Sequence, residues 1–347
     1  MKKMKAVVKT SPGPGAELKE VDIPVTGPDR VLVRVLTTSI CGTDFHIYEW
    51  NQWAQQRIKN LPQIMGHELC GKVVEVGSDV KHIKVGDIIS AETHIACGHC
   101  FQCLTGNKHI CQNVKIFGVD IDGVFAEYAV VPSANAWVVK EDIPTELISV
   151  MEPLGNAIHT VLSGKIAGCT VLVIGCGPVG LMSIAVARTC GATMIIATEI
   201  NKFRLELAKK VGADIVLDPA RVDMVATVLR ETQGLGVDVV LEMSGNPEAI
   251  NQGFKVLRPG GRYSILGIPS KPVQLDLAND IVFKYATVNG INGRLMFKTW
   301  FQTTRFLASH RLNIEPIITH RLSLEEFEKG MELMRSGNCG KILLSPQ

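Results

Sequence analysis

The pattern of apolar and polar residues changes near residue 150, and this change predicts two differently built parts. Before it, short apolar runs such as residues 31–36 and 71–76 alternate with breaks that contain glycine and proline, which is typical of β-structure. From about residue 155, β-branched runs alternate with helical segments, beginning with a strand at 171–174 and a helix over about 179–190. Alternation of this kind predicts a parallel sheet covered by helices on both faces.

One stretch of the chain has the length and polarity of a membrane span. Residues 166–187 carry no charged side chain, and their number approaches that of a transmembrane helix. Gly175, Gly177 and Pro178 interrupt the stretch, so a strand, a glycine turn and a buried helix is the better interpretation. We therefore expect the chain to have no membrane segment.

Composition narrows the class of protein further. The chain has 347 residues, of which 46% are hydrophobic and 20% charged, so two domains with sizeable cores are expected. A net charge of +2 with both signs interspersed does not indicate nucleic acid or an anionic membrane as a partner. The first residues, MKKMKAVVKT, lack the apolar core of a secretory signal. Ten cysteines without such a signal indicate a reducing compartment, and we expect a cytoplasmic protein.

Four cysteines lie within fifteen residues in the spacing C-x2-C-x2-C-x7-C: Cys97, Cys100, Cys103 and Cys111. Thiolates at this density favour a tetrahedral zinc site, and four protein ligands leave no open position, so the ion would be structural. An iron–sulfur cluster is the alternative. The bacterial ferredoxin spacing has three residues before its last cysteine, followed by proline, whereas this chain has seven, followed by Gln112. Zinc is therefore the better interpretation.

A dinucleotide-binding fingerprint follows the predicted strand at 171–174. Gly175, Gly177 and Gly180 have the spacing GxGxxG at the start of a helix, where backbone N–H groups can meet a pyrophosphate. Glu199 stands about twenty residues further on, where a carboxylate accepts the ribose hydroxyls of NAD. Arg204 complicates this, because an arginine nearby can accept the extra phosphate of NADP. Since Glu199 ends the second strand, we favour NAD over NADP and over a cofactor-free domain.

A second group of reactive side chains has the composition of an open metal site. Cys41 lies close to Thr43 and His46, and His67 is followed by Glu68. Three protein ligands of these types plus a displaceable oxygen describe a catalytic zinc site. The two clusters are far apart in sequence, so an ordinary buried cysteine and histidine remain the alternative. The thiolate cluster and the dinucleotide fingerprint in the same chain favour zinc.

With these motifs in place, the chain resembles the zinc-dependent medium-chain alcohol dehydrogenases over nearly its whole length. The segments that carry the resemblance are CGTD at 41–44, GHE at 66–68, the four-cysteine segment, EPLGNA at 152–157 and GCGPVG at 175–180. Longer segments resemble the branch that oxidises L-threonine: SICGTDFHIYEWNQWAQ at 39–55, ETHIACGHC at 92–100, KIFGVDIDGVFAEY at 115–128 and PIITHR at 316–321.

The resemblance implies an α/β architecture. It implies a GroES-like, β-rich catalytic domain over 1–153, with a structural zinc lobe near 92–114. A Rossmann domain with a doubly wound parallel sheet would bind NAD over 154–294, and residues 295–347 would return to the catalytic domain. The resemblance also implies a homotetramer with one catalytic and one structural zinc ion per chain.

The resemblance also implies roles for individual residues. Cys41, His67 and Glu68 would hold the catalytic zinc, Glu152 would stand beside it, and Thr43 and His46 would form a proton relay. The other residues expected to line the NAD site are Val179, Glu199, Arg204, Leu266, Gly267, Ile268, Ile291 and Asn292. Side-chain chemistry, apart from the resemblance, makes two residues candidates for contacting the substrate. Arg294 would bind its carboxylate, with pairing to Glu152 or the cofactor as the alternative, and His94 would bind either charged group, with support of the four-cysteine segment as the alternative. Trp50 and Trp53 are candidates for walling the pocket, but aromatic packing is the favoured role of each.

The function expected from this resemblance is oxidation of the secondary alcohol of L-threonine by NAD, giving 2-amino-3-oxobutanoate. Two alternatives stay open at the level of sequence. One is a polyol or 2,3-butanediol dehydrogenase on the same scaffold, and the other is a zinc- and NAD-binding protein without catalysis.

A further expectation concerns the backbone at Glu152. Because Pro153 follows it, helical structure is disfavoured at Glu152.

Overall fold

The computed structural model describes residues 2–346, which fold as two compact units. The first unit comprises the chain up to Glu152, Leu295–Ala308 and the segment from Ile318 onward, and the second comprises Pro153–Arg294 and Ser309–Ile317. The chain thus leaves the first unit one residue before the expected boundary. Residues 309–317 pack with the second unit, although the sequence assigned all of 295–347 to the first.

The regular elements are as follows, in chain order. The strands are β1 (Lys3–Lys9), β2 (Glu17–Asp22), β3 (Arg30–Ser39), β4 (Gln63–Ile64), β5 (Glu68–Val76), β6 (Ile88–Ala91), β7 (His94–Ile95), β8 (Lys115–Ile116), β9 (Tyr128–Pro132), β10 (Ala136–Val138), β11 (Thr170–Ile174), β12 (Met194–Thr198), β13 (Ile215–Leu217), β14 (Val237–Glu242), β15 (Leu257–Ile265), β16 (Thr287–Gly290), β17 (Ile318–Ser323) and β18 (Lys341–Ser345). The helices are α1 (Gly42–Glu49), α2 (Gln52–Arg57), α3 (Phe101–Leu104), α4 (Thr145–Ser149), α5 (Met151–Val161), α6 (Pro178–Thr189), α7 (Lys202–Lys210), α8 (Met224–Glu231), α9 (Pro247–Val256), α10 (Lys298–Ala308) and α11 (Phe327–Ser336).

The first unit is built around β3, whose alternate residues Val31, Val33 and Val35 are fully buried. In its largest sheet the strand order is β10-β6-β5-β3-β18-β17, and β9 also pairs with β3. The last strand, β18, runs antiparallel to β3, with Leu343 opposite Ser39. Because β18 comes from the end of the chain, this pairing brings C-terminal residues beside the end of β3 and the start of β5.

The second unit holds a six-stranded sheet in the order β13-β12-β11-β14-β15-β16, with every pair parallel. Parallel strands place their carboxyl ends at one edge, where ligands bind in such sheets. The uncharged stretch 166–187 forms β11 and most of α6, as predicted. Within residues 2–346, no helix combines the length and apolar character needed to cross a membrane.

The prediction of a non-helical Glu152 is wrong, since α5 begins at Met151 and includes it. Pro153 is the third residue of this helix. Within the first turn, a proline costs no hydrogen bond, because the N–H it lacks would have no partner inside the helix. At this position, the tolerance of a helix for proline in its first turn outweighed the steric restraint that proline places on the residue before it.

Candidate active site and metal centres

The fold brings together three candidate zinc ligands that are distant in sequence. Cys41 follows β3 and caps the start of α1, while His67 and Glu68 stand at the start of β5, the neighbouring strand. One ligand atom from each lies within 4.8 Å of the others. His67 is 5% exposed and Glu68 is fully buried. A thiolate, an imidazole and a carboxylate at this spacing are a donor set that suits Zn²⁺.

Asp44 supports two of these ligands, and the sequence analysis assigned it no role. Its Oδ2 accepts a hydrogen bond of 2.8 Å from the backbone N–H of Cys41, within a capping box at the start of α1. Its Oδ1 lies 3.3 Å from Nδ1 of His67. A carboxylate at Nδ1 leaves Nε2 of the ring for an ion. The signal in the sequence was its position three residues after Cys41, the N3 position of the helix.

Glu68 is held by one of its two oxygens. Oε2 accepts hydrogen bonds from Ser39 Oγ and Lys341 Nζ, and the same Nζ donates to the carbonyl of Ile40 at 2.9 Å. Oε1 is buried, and no hydrogen bond to it occurs within residues 2–346. A buried carboxylate oxygen without a donor is costly unless a cation binds it. The buried Oε1 without a donor is therefore the strongest structural evidence that these residues suit a zinc ion.

Charge in this site is set by burial and by close neighbours. Burial raises the pKa of the Glu68 carboxyl, Lys341 opposes that effect, and the negative charge of Glu152 adds to it. Burial disfavours the ammonium of Lys341, but Glu68 and Cys41 outweigh it and raise the pKa of this group. Lys341 therefore stays charged and balances part of the negative charge of the ligands. No sequence pattern pointed to this lysine.

Glu152 and His94 lie in the same unit as the three ligands. Glu152 is 6% exposed, and Thr93 Oγ1 lies 3.4 Å from its Oε1. His94 lies on β7 with its Nδ1 3.4 Å from Oε1 of Glu92. Glu92 is fully buried and also accepts from the backbone N–H of His94 at 2.8 Å and from Trp300 Nε1 at 2.7 Å. Trp300 thus holds Glu92, and Glu92 fixes the backbone of His94 and lies beside its ring. No sequence pattern pointed to Glu92 or Trp300.

The four clustered cysteines converge as the spacing predicts for a tetrahedral ion. Their sulfur atoms all lie within 4.8 Å of one another, and none is in a disulfide. Hydrogen bonds from the backbone of His99 and then Cys100 lower the pKa of Cys97 to about 6, whereas burial raises that of Cys103 to about 12. Backbone donors around thiolates are the usual surroundings of structural zinc. We propose that this cluster holds the structural ion.

The glycine fingerprint forms the turn that a pyrophosphate requires. Gly175 follows β11 with a φ of 88°, and Gly177 caps α6. A Cβ on Gly180 would lie 2.0 Å from the carbonyl oxygen of Gly175, so this position accepts only glycine. Glu199 follows β12, and its carboxylate accepts from the backbone N–H groups of Cys176, Ile200 and Asn201 at 2.9–3.0 Å. These hydrogen bonds hold the carboxylate beside the glycine turn at Gly175–Gly177.

A cavity of about 560 Å³ opens at this edge of the sheet, and Gly175, Gly177, Glu199 and Arg204 line it. The other predicted NAD residues are not part of its lining: Val179, Gly180, Leu266, Gly267, Ile268, Ile291 and Asn292. Val179 and Gly180 lie in the first turn of α6, and the rest follow the carboxyl ends of β15 and β16. Arg294 also belongs to the second unit, where its Nη1 donates to Asn156 Oδ1 at 3.2 Å.

Comparisons with known proteins found similarity in both parts of the chain. Residues 27–142 match the alcohol dehydrogenase GroES-like domain, and residues 178–309 match the zinc-binding dehydrogenase family. An L-threonine 3-dehydrogenase from Pyrococcus horikoshii is 55% identical over 342 residues, which cover 98% of each chain. At this identity and coverage, the similarity extends through both units of the chain.

Solved structures of related dehydrogenases have the same fold. A zinc-binding dehydrogenase from Sinorhizobium meliloti, bound to NADP, superposes with a TM-score of 0.92 at 33% identity, over all of both chains. The 2R,3R-butanediol dehydrogenase of Bacillus subtilis superposes with a TM-score of 0.89 at 30% identity, over 99% of this chain and 100% of the other. The butanediol enzyme is thus a more distant relative than the threonine enzyme.

Proposed function

Since this chain belongs to the L-threonine 3-dehydrogenase family of the zinc-dependent medium-chain alcohol dehydrogenases, we propose that it oxidises the secondary alcohol of L-threonine with NAD. The product is 2-amino-3-oxobutanoate, formed with NADH. The main support for zinc chemistry is that Cys41, His67 and Glu68 converge. Oε1 of Glu68 is buried there without a hydrogen-bond donor among the described residues. Full-length similarity to threonine enzymes supports the choice of substrate over a polyol or butanediol.

Different side chains contribute to the first step, which is deprotonation of the substrate hydroxyl group. When bound, zinc supplies Lewis acidity that lowers the pKa of a hydroxyl group, and NAD supplies the hydride acceptor. Cys41, His67 and Glu68 would hold the ion. Asp44 binds the backbone of Cys41 and lies beside His67, and Lys341 donates a hydrogen bond to Glu68. Glu152 is buried close enough to Glu68 for its charge to raise the pKa of that carboxyl, and we propose that it acts through proton transfer or transient coordination.

The proton leaves through side chains of α1 in this proposal. Thr43 stands two residues after Cys41, and its hydroxyl both accepts and donates a proton. His46, on the same helix, is exposed, and an imidazole there can take up a proton and pass it to solvent. Arg294 is proposed to contact the carboxylate of the substrate, and His94 either its carboxylate or its ammonium group. Trp50 packs against the hydrophobic core of the first unit.

The NAD site belongs to the second unit. The N-terminus of α6 would bind the pyrophosphate, and Glu199 would accept hydrogen bonds from the ribose hydroxyl groups. Its carboxylate also repels a 2′-phosphate, which favours NAD over NADP. The residues after β15 and β16, from Leu266 and Ile291 onward, are proposed to hold the nicotinamide half.

The test is formation of NADH, followed by absorbance, with L-threonine, L-serine, sorbitol and 2,3-butanediol as separate substrates. We expect kcat/KM to be highest for L-threonine and activity to be lost when a chelator removes the labile zinc. Restoring zinc is the control and should restore the rate. Turnover of sorbitol or butanediol well above that of threonine would instead identify a sister enzyme. Two bound zinc ions with no turnover on any alcohol would favour a binding protein.

We propose that the enzyme is cytoplasmic and that it assembles as a homotetramer. Among the described residues, β16 pairs only with β15 and is an edge strand of the parallel sheet. Large apolar side chains near it are exposed, with Phe283 at 77% and Tyr285 at 88%. An exposed edge with apolar neighbours is a surface that a second copy can extend. Light scattering should give four times the chain mass of 37.7 kDa, and a single-chain mass would contradict the proposal.

A further inference from the structure

The side chain of Asn51 bridges helix α2 and the ring of His46. Asn51 is the N-cap of α2, and its Oδ1 accepts a hydrogen bond of 3.0 Å from the backbone N–H of Ala54. On its other side, Nδ2 lies 2.9 Å from Nδ1 of His46. The orientation of the amide follows from the cap: a flipped amide would point its NH₂ group at the N–H of Ala54. Nδ2 therefore faces the histidine.

This orientation decides which nitrogen of His46 carries hydrogen. The amide Nδ2 is a donor only, so Nδ1 of His46 must be the acceptor. A neutral imidazole with an acceptor at Nδ1 has its hydrogen on Nε2. Protonating Nδ1 would set two N–H groups against each other, and the hydrogen bond would be lost.

We propose that Asn51 is a positioning residue for the proton relay, which holds His46 as the neutral tautomer with hydrogen on Nε2 and disfavours its imidazolium form. The proton released by the alcohol would enter the neutral ring at Nδ1, breaking the bond to Asn51, and re-forming that bond would drive the proton on to solvent. By favouring the neutral ring, Asn51 extends activity toward lower pH. The assignment of the hydrogen stands on geometry alone. Its effect on catalysis rests on the proposed function, in which His46 is the solvent end of the relay.

The surroundings of His46 support this role. Its two described side-chain contacts are the Asn51 amide and the indole of Trp53, whose ring centre lies 6.3 Å away. The side chain of His46 is exposed, but the atoms around it partly desolvate the ring, which lowers its pKa; no charged group of residues 2–346 contributes to this shift. Among the described residues, the side-chain hydrogen bond to this ring comes from the Asn51 amide, which can therefore select its protonation state.

The direct test measures the ring of His46 in Asn51→Asp and Asn51→Ser. Both residues are good N-caps, so α2 should keep its start and the unfolding temperature should change little. Aspartate places an acceptor opposite Nδ1, and we expect the pKa of His46 to rise by about one unit. Serine is too short to reach the ring and should raise it less. The rate at which the C2 hydrogen of His46 exchanges for deuterium, followed by mass spectrometry against pH, reports this pKa.

The catalytic test uses the same variants in holoenzyme. The acid limb of kcat/KM for L-threonine against pH should move upward by about one unit in Asn51→Asp and less in Asn51→Ser. Added to His46→Gln, the aspartate should cause no such shift. An unchanged pKa of His46 in Asn51→Asp would overturn the inference. A raised pKa with an unmoved acid limb would uphold the hydrogen-bond assignment and overturn the relay role of His46 in the proposed function.

Discussion

Replacing Cys41 by serine is expected to lower kcat/KM for L-threonine about a thousandfold or more, while the chain keeps its fold. Lewis-acid stabilisation by a bound metal is worth several kcal/mol, and each 1.36 kcal/mol is a factor of ten in rate. Serine has nearly the shape of cysteine, but its neutral hydroxyl replaces the thiolate that anchors the ion. Glu68 and His67 alone would bind zinc weakly.

Elemental analysis separates loss of the ion from loss of the fold. The Cys41→Ser protein should contain one zinc ion per chain, with the unfolding transition of the second unit unchanged. Cys190→Ser is a matched control, because Cys190 lies half-buried at the end of α6 and outside both cysteine-containing sites. It should keep two ions and full activity. A Cys41→Ser protein that holds one zinc ion and still turns over at the native rate would contradict the catalytic site proposed here.

Replacing Cys103 by serine is expected to unfold the segment around 97–111 and to release the other zinc ion. This segment has almost no core of its own: its buried residues are Cys100, Cys103 and Cys111, while Phe101 and Leu104 are 73% and 75% exposed. Four-ligand zinc sites in small domains contribute about 10 kcal/mol or more to folding. With one thiolate gone, little else remains to order the segment.

Limited proteolysis is the measurement that sees this effect directly. In Cys103→Ser, cleavage within 97–111 should become fast and the unfolding temperature of the first unit should fall. Cys41→Ser serves as the reciprocal control, since it loses an ion without exposing this segment. If Cys103→Ser resisted cleavage, the ion would not be structural. Iron and sulfide in place of zinc in the native protein would instead support the cluster considered as the alternative.

The residues that support the proposed ligands could not be predicted from the sequence. Cys41, His67 and Glu68 were identified by type and by the resemblance, but the groups that hold them were not. Lys341 contacts Glu68 from 273 residues away in the chain. The residues next to Lys341 in the sequence have the pattern of an ordinary strand and do not indicate this contact. Asn51 resembles an ordinary helix cap in the sequence. Its contact with His46 depends on the turn at Trp50, where φ is 53° between α1 and α2.

The sequence by itself determined the features whose chemistry is local. The four-cysteine spacing, the glycine turn before α6 and the change from β-rich to alternating strand and helix each lie within a short window, because ligand spacing and hydrophobic period are properties of neighbouring residues. The tertiary structure alone decided which strands stand side by side. The pairing of β18 with β3 and of β3 with β5 is recorded in no local pattern, since any strand of suitable polarity satisfies the same backbone hydrogen bonds. That pairing places Lys341, Ser39 and Glu68 together, and so selects which oxygen of Glu68 is left for the metal.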